Sequence, residues 1–187
     1  MGKQQSTKHY NLIYEAYEPS EERTGLYEMA LSLLPNDCGP ILEIGCGAGE
    51  FAELLVQNNL HKNYLGIDSS KAAIGLSRKR CPYVRFECLN VFKMESRILN
   101  MYRVFVLLEV LEHLNKDIAL LDLLNPGSLI IFSVPNANFI SHVRHFESHD
   151  GVVKRYNDKL KFDEQLTFVN ERKQHRKAFL FRAYVRN

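Results

Sequence analysis

The sequence has few cysteines and no long apolar run. Its four cysteines include no pair at C-x-x-C spacing, which excludes the usual zinc and thioredoxin-like signatures. No stretch approaches the roughly 18 apolar residues that a membrane-spanning helix requires. The polar first residues lack the apolar core of a secretory signal peptide. We therefore expect a reduced, cytoplasmic protein without a membrane partner.

An excess of charge of either sign is also missing. The net charge is +2, which excludes neither small anions nor neutral molecules as partners. Positive charge is concentrated in residues 144–187, and a basic tail can attract an anionic substrate or nucleic acid. A solvated face on the last strands is the simpler interpretation. Nucleic acid is therefore the less favoured partner.

What the sequence does contain is an alternation of short apolar strands and amphipathic helices. Its 187 residues suit one domain, since domains run roughly 100–200 residues. The alternation predicts an α/β fold, a doubly wound, mostly parallel, seven-stranded Rossmann-like sheet with the last strand antiparallel. We divide the chain into a helical lead-in or lid (1–35), a cofactor-binding core (40–146), and a helix with a C-terminal hairpin (147–187).

The clearest motif is the run Glu43–Gly49, which places three glycines after a predicted strand and before a predicted helix. Glycine allows the tight turn and lets a ligand lie almost on the main chain, while the helix N-terminus offers free N–H groups to an anion. A dinucleotide loop would need glycine at position 50, which is Glu50, and the G-K-[ST] of a P-loop is missing. The motif therefore favours a ligand other than a dinucleotide.

Asp68 closes the next predicted strand. A carboxylate at this position can accept hydrogen bonds from ribose hydroxyls. Alone it would equally suit a helix cap, but together with the glycine loop it predicts a nucleoside site at the edge of the sheet.

Glu43–Gly49 followed by Asp68 resembles the class I S-adenosylmethionine-dependent methyltransferases, over about residues 40–146. The resemblance implies S-adenosyl-L-methionine as the cofactor, with its methionine part at the glycine loop, its ribose at Asp68 and its adenine near Asn90, where the family usually has Asp. The implied cofactor-binding residues are Glu43, Gly45, Cys46, Gly47, Gly49, Asp68, Ser69, Asn90, Val91 and Glu109.

The segment Leu107–Leu114 contains E-V-L-E-H and is similar to the small-molecule branch of that family. Arg103 stands where many members have an Asp, far from the expected ligand edge. The resemblance implies a small-molecule acceptor.

Methyl transfer from a sulfonium mainly requires alignment of nucleophile, methyl and sulfur. A base is needed only for a protonated acceptor, and histidine has a suitable pKa. His113 follows the fourth strand, and His142 and His145 follow the fifth. These three are the candidate catalytic residues, although packing or surface roles fit each of them as well. Tyr10, Tyr14 and Tyr17 could form a lid whose faces suit a sulfonium cation.

A second hypothesis concerns Glu109, Glu112 and His113. On a helix these positions share one face and could hold a metal ion. The string resembles the metal set of small-RNA 3′-end ribose methyltransferases, in which a later histidine completes the site. Here that histidine would be His142, His145 or His175. The same string is common in small-molecule relatives that bind no metal, and it also suits a solvated helix start.

We therefore predict a methyltransferase that acts on a small-molecule oxygen or nitrogen, and we assign no metal ligands. The alternatives are metal-assisted 2′-O-methylation of RNA 3′ ends and a non-catalytic nucleoside-binding regulatory domain. The sequence leaves open the acceptor, the oligomeric state and whether Glu109, Glu112 and His113 bind a metal.

Overall fold

The computed structural model describes residues 2–18, 21–170 and 176–186. Seven helices and seven strands lie in these ranges. The helices are α1 (Thr7–Glu15), α2 (Thr24–Ser32), α3 (Glu50–Gln57), α4 (Lys71–Arg80), α5 (Ser96–Leu99), α6 (Asp117–Leu121) and α7 (His149–Tyr156). The strands are β1 (Ile41–Ile44), β2 (Tyr64–Asp68), β3 (Arg85–Cys88), β4 (Val104–Leu108), β5 (Leu129–Pro135), β6 (Leu160–Val169) and β7 (Lys177–Val185).

All seven strands form one sheet in the order β3-β2-β1-β4-β5-β7-β6. The first five strands are parallel, whereas β7 runs antiparallel to β5 and pairs with β6 in a hairpin. The predicted Rossmann-like fold is confirmed. Because β1 lies between β2 and β4, strand order reverses beside it, and in such sheets ligands bind outside the carboxyl ends of the strands at this point.

The sheet is covered on both faces, and the central strands are apolar for that reason. Every residue of β1, β4 and β5 is buried. One face packs around Phe105, Phe132 and Tyr156, and the other around Phe51 and Leu26. Strands buried on both faces read as continuous apolar runs, which is why the sequence predicted them well.

The helical spacing of apolar residues over 111–124 predicts one long helix, and this prediction is wrong. After β4 the chain makes a single 3-10 turn at Leu111–His113, Leu114 is extended, and α6 covers only Asp117–Leu121. Leu111, Leu120 and Leu121 are still buried. The apolar spacing therefore identified core residues correctly, but they do not belong to one continuous helix.

The C-terminal predictions need smaller corrections. The pattern of residues 149–160 predicts a helix, but α7 ends at Tyr156 and Leu160 already begins β6. The charged residues of segment 170–177 predict the turn between the last two strands, and most of this segment lies outside the described residues. Within the described ranges, no helix is long and apolar enough to cross a membrane.

An ion-pair network around the buried Asp117 fixes the segment that follows β5. Arg155 donates two hydrogen bonds of 2.6 and 2.8 Å to Asp117, and Tyr156 donates a third of 2.8 Å. Arg144 lies 3.2 Å from the same carboxylate and donates to the Leu114 carbonyl at 2.6 Å. The segment carrying His142 is thereby held against the turn carrying His113.

Candidate active site

The glycine loop leaves β1 and enters α3 with three residues in the left-handed region. The φ angles of Gly45, Gly47 and Gly49 are 78°, 54° and 85°, a conformation in which a side chain is strained. At Gly47 space is also short, because an added Cβ would lie 2.8 Å from the Tyr14 hydroxyl oxygen. The loop therefore exposes bare main chain on the side that faces Tyr14.

Asp68 is tied directly to this loop. Its Oδ2 accepts a hydrogen bond from the Gly47 N–H at 3.1 Å, and its Oδ1 accepts from the Ser70 N–H at 2.8 Å. Parallel pairing of β1 and β2 sets Ile44 opposite Ile67 and so brings the two strand ends together. Burial raises the pKa of Asp68, although these N–H groups oppose the shift. Each oxygen keeps a further lone pair for a ligand hydroxyl.

Glu43 lies beneath the loop, in the core of the sheet. It is 3% exposed and accepts a hydrogen bond from the Tyr64 hydroxyl. Burial raises its pKa to about 8, so the side chain is largely protonated near neutral pH. Its carboxyl group therefore supports the floor of the site and adds little negative charge there.

A cavity of about 580 Å³ opens along this edge of the sheet. It runs from the glycine loop, past Asp68, to the segments that follow β4 and β5. Nine of the ten predicted cofactor residues line it: Glu43, Gly45, Cys46, Gly47, Asp68, Ser69, Asn90, Val91 and Glu109.

Gly49 is the exception among the described residues. A Cβ there would lie 3.0 Å from the Ser77 Cβ and 3.5 Å from Phe86, so this glycine serves the packing of α3 against α4 and β3. Asn90, by contrast, is exposed at the cavity, and its Oδ1 accepts the Phe92 N–H at 3.0 Å.

Glu109 directly follows β4 and has a backbone conformation rare for its residue type. Its φ is 58°, and its N–H donates to the Ser133 hydroxyl at 3.0 Å. Burial raises the pKa of the Glu109 carboxyl, an effect that the positive charge of Arg23 opposes. Strain of this kind is typical of functional sites.

Two of the three candidate histidines meet at the far end of the cavity. The rings of His113 and His142 are edge to face, with centroids 4.8 Å apart. Burial lowers the pKa of His113 to about 4 and also lowers that of His142, so both rings are neutral at pH 7. His145 is exposed and, among the residues described, does not line the cavity. His175 lies outside the described residues.

The first residues form an N-terminal strap (residues 2–18) across the cavity. The Gly2 N–H donates to the His142 carbonyl at 3.0 Å, and Gln4 accepts from the Asn115 N–H at 2.8 Å. Further along, Tyr17 donates to Glu50. Tyr10, Tyr14 and Tyr17 all line the cavity, and their role as a lid stays a prediction.

Sequence reasoning missed Arg23 and Tyr27, which also line the cavity. They hydrogen-bond each other through their side chains. Both precede the first strand, in a region where no motif marks a site, so only the folded chain brings them to the glycine loop.

Comparison with known proteins identifies the family to which the chain belongs. The profile of a family described as a methyltransferase domain matches residues 14–182. The chain belongs to this family. Trans-aconitate 2-methyltransferase of Variovorax paradoxus is 30% identical over 79 residues, which cover 42% of this chain and 30% of that protein. The chain therefore matches less than a third of the length of this curated relative.

Solved methyltransferases share the fold along nearly the whole chain. The N-methyltransferase NodS from Bradyrhizobium japonicum, in complex with S-adenosyl-L-homocysteine, has a TM-score of 0.75 at 19% identity and covers 98% of this chain and 100% of its own. The 1,6-didemethyltoxoflavin-N1-methyltransferase of Burkholderia thailandensis has a TM-score of 0.74 at 12% identity, with coverages of 97% and 87%. The predicted family is confirmed.

Proposed function

We propose that this methyltransferase-family chain transfers a methyl group from S-adenosyl-L-methionine to an oxygen or nitrogen of a small molecule. The observation that carries the proposal is the hydrogen bond between Gly47 N–H and Asp68, which joins a bare glycine loop to a carboxylate at one cavity wall. The similar NodS and toxoflavin enzymes were solved with the demethylated cofactor bound, which supports the choice of ligand.

The residues present fit this cofactor. Main-chain N–H groups around Gly47 and the N-terminus of α3 suit its carboxylate, and any side chain at Gly47 would fill that space. Asp68 and Ser69 would hold the ribose, and Asn90 with Val91 would hold the adenine. Gly45, Cys46 and Glu109 complete the wall beside the methionine part.

The cofactor supplies an activated methyl group, so the chain has to hold the acceptor in line and exclude water. The tyrosine faces of the strap suit a sulfonium charge. His113 and His142 are neutral and line the opposite end of the cavity, where they would contact the acceptor nucleophile. Because the strap crosses the mouth of the cavity, a small acceptor fits better than a polymer.

Binding of S-adenosyl-L-homocysteine, measured by calorimetry, tests the proposal. Asp68→Ala should weaken binding at least about 10-fold, since it removes charge-assisted hydrogen bonds. Glu87→Ala, an exposed carboxylate on the neighbouring strand β3, should bind like the unmodified protein. Equal affinity of Asp68→Ala and the unmodified protein would overturn the ribose assignment.

A further inference from the structure

Three side chains converge at the acceptor end of the cavity. Glu112, His113 and His142 each offer one ligand atom, and these atoms all lie within 4.8 Å of one another. We propose that this trio, here named the Glu–His–His cluster, binds a single divalent transition-metal ion. The grouping differs from the hypothesis drawn from the sequence in one respect, because Glu109 lies outside it, and His142 is the later histidine that joins it.

Both rings are held in the tautomer that a metal ion requires. Nδ1 of His113 lies 3.0 Å from the Ser141 carbonyl oxygen, and Nδ1 of His142 lies 2.9 Å from the Ala137 carbonyl oxygen. A carbonyl can only accept, so each Nδ1 carries the proton and each Nε2 presents a lone pair. Histidines that ligate metals are typically oriented by such a second hydrogen bond.

Glu112 supplies an independent indication. Its side chain is fully buried, and within the described ranges neither carboxylate oxygen has a hydrogen-bond partner. The nearest ring nitrogen is His113 Nε2, 3.7 Å from Oε1. Arg144 is directed instead to the Asp117 carboxylate and the Leu114 carbonyl. Burying an unpaired carboxylate is costly, and a cation shared with the two rings would offset that cost.

The backbone builds this cluster from two segments. The Val143 N–H donates to the Glu112 carbonyl at 2.9 Å, so the loop after β5 is joined to the turn after β4. Ligands around one tetrahedral ion lie about 3.3 Å apart, given metal–ligand distances near 2 Å. Small side-chain rotations would therefore close the cluster around an ion.

The donor set selects the class of ion. Two imidazole nitrogens and one carboxylate suit Zn²⁺, Mn²⁺, Fe²⁺ or Co²⁺, whereas Mg²⁺ and Ca²⁺ prefer oxygen ligands. Three protein ligands leave at least one position open. Since His113 and His142 line the cavity, an ion held by them would be reachable from the cavity, and an open position would be available to the acceptor.

This site also narrows the acceptor class, a step that rests on the proposed function. An acceptor hydroxyl bound at the open position loses its proton to solvent more readily. Its oxygen then bonds to the methyl carbon as the carbon–sulfur bond breaks and the electron pair stays on sulfur. We therefore assign an oxygen, rather than a nitrogen, as the acceptor nucleophile.

Metal binding without cofactor tests the site. Protein treated with a chelator is titrated with Co²⁺ and followed by visible absorption, then with Zn²⁺ in competition. The unmodified protein should bind one equivalent, and Glu112→Gln and His142→Ala should each lose at least about 10-fold in affinity. His145→Ala is the matched control, because this exposed histidine lies three residues from His142.

Loss of affinity in His145→Ala equal to that in Glu112→Gln, or no stoichiometric Co²⁺ in the unmodified protein, would overturn the site. Binding of S-adenosyl-L-homocysteine, measured in chelator, should survive in Glu112→Gln and His142→Ala, which shows that they fold. If the proposed function is wrong, the unmodified protein will not bind S-adenosyl-L-homocysteine, and this result is independent of the Co²⁺ titration. Phenol, a probe with a single oxygen, should change the Co²⁺ spectrum of the unmodified protein, and an unchanged spectrum would overturn the acceptor assignment.

Discussion

At the scale of single residues, Gly47 combines two constraints that can be separated. Its φ of 54° strains any other residue, and a Cβ would lie 2.8 Å from the Tyr14 hydroxyl oxygen. Gly127 has a comparable φ of 77° but, among the described residues, nothing within 4 Å of an added Cβ. The pair therefore distinguishes backbone strain from the loss of the space that a ligand needs.

We expect Gly47→Ala and Gly127→Ala each to lower the free energy of unfolding by about 1 kcal/mol from backbone strain. Only Gly47→Ala should weaken binding of S-adenosyl-L-homocysteine, by about 10-fold or more. Chemical denaturation and calorimetry measure the two quantities. Undiminished affinity in Gly47→Ala would show that the loop does not contact the ligand.

Several residues of the candidate site could be predicted from the sequence alone. Gly45, Gly47 and Asp68 were predictable because strand ends in a parallel sheet meet at one edge. Gly49 follows the same spacing, yet its conformation serves helix packing. His145 could not be separated from His142 in the sequence, because burial depends on how the loop after β5 folds.

At the scale of elements, the N-terminal strap is held by polar contacts. Helix α1 has no buried residue along its length. Asn11 Oδ1 accepts from the Ser70 hydroxyl at 2.8 Å and lies 3.4 Å from the Ala72 N–H. One side chain of α1 thus caps the first turn of α4, next to Asp68.

Asn11→Ala should therefore loosen the strap with little cost to the fold. We expect faster hydrogen exchange in residues 7–15 and a loss of about 1 kcal/mol or less in stability. Lys8→Ala, an exposed residue of the same helix, is the matched control. If exchange in α1 is the same in both variants, the Asn11 contact does not hold the strap.

Strands and helices whose apolar pattern matches their burial in the fold were predicted well. The segment after β4 was not. A strand buried on both faces leaves a short, continuous apolar run, which distinguishes it from an amphipathic surface helix. The leucines of residues 111–121 have helical spacing, but Glu109 starts the segment at positive φ and Leu114 is extended. Tertiary contacts with the loop after β5 decide that geometry, and they join residues about 30 positions apart.

At the scale of the whole molecule, the buried acid Glu43 makes stability depend on pH. Its folded-state pKa is about 8, whereas a glutamate in the unfolded chain titrates near 4.3. Between these values the folded protein holds a proton that the unfolded chain has released. The stabilisation that Glu43 contributes is therefore fully present below about pH 4.3, and it is lost as the pH rises through 8.

Glu43→Gln should remove this contribution while keeping a side chain of similar shape beside Tyr64. Relative to this variant, the unmodified protein should lose on the order of 3 kcal/mol between pH 5 and 8. Denaturation midpoints measured across that range give the difference, and Glu87→Gln, exposed on β3, should retain the slope of the unmodified protein. Parallel pH profiles for Glu43→Gln and the unmodified protein would mean that Glu43 is already ionised in the fold. The floor of the cavity would then carry a negative charge directly beneath the glycine loop.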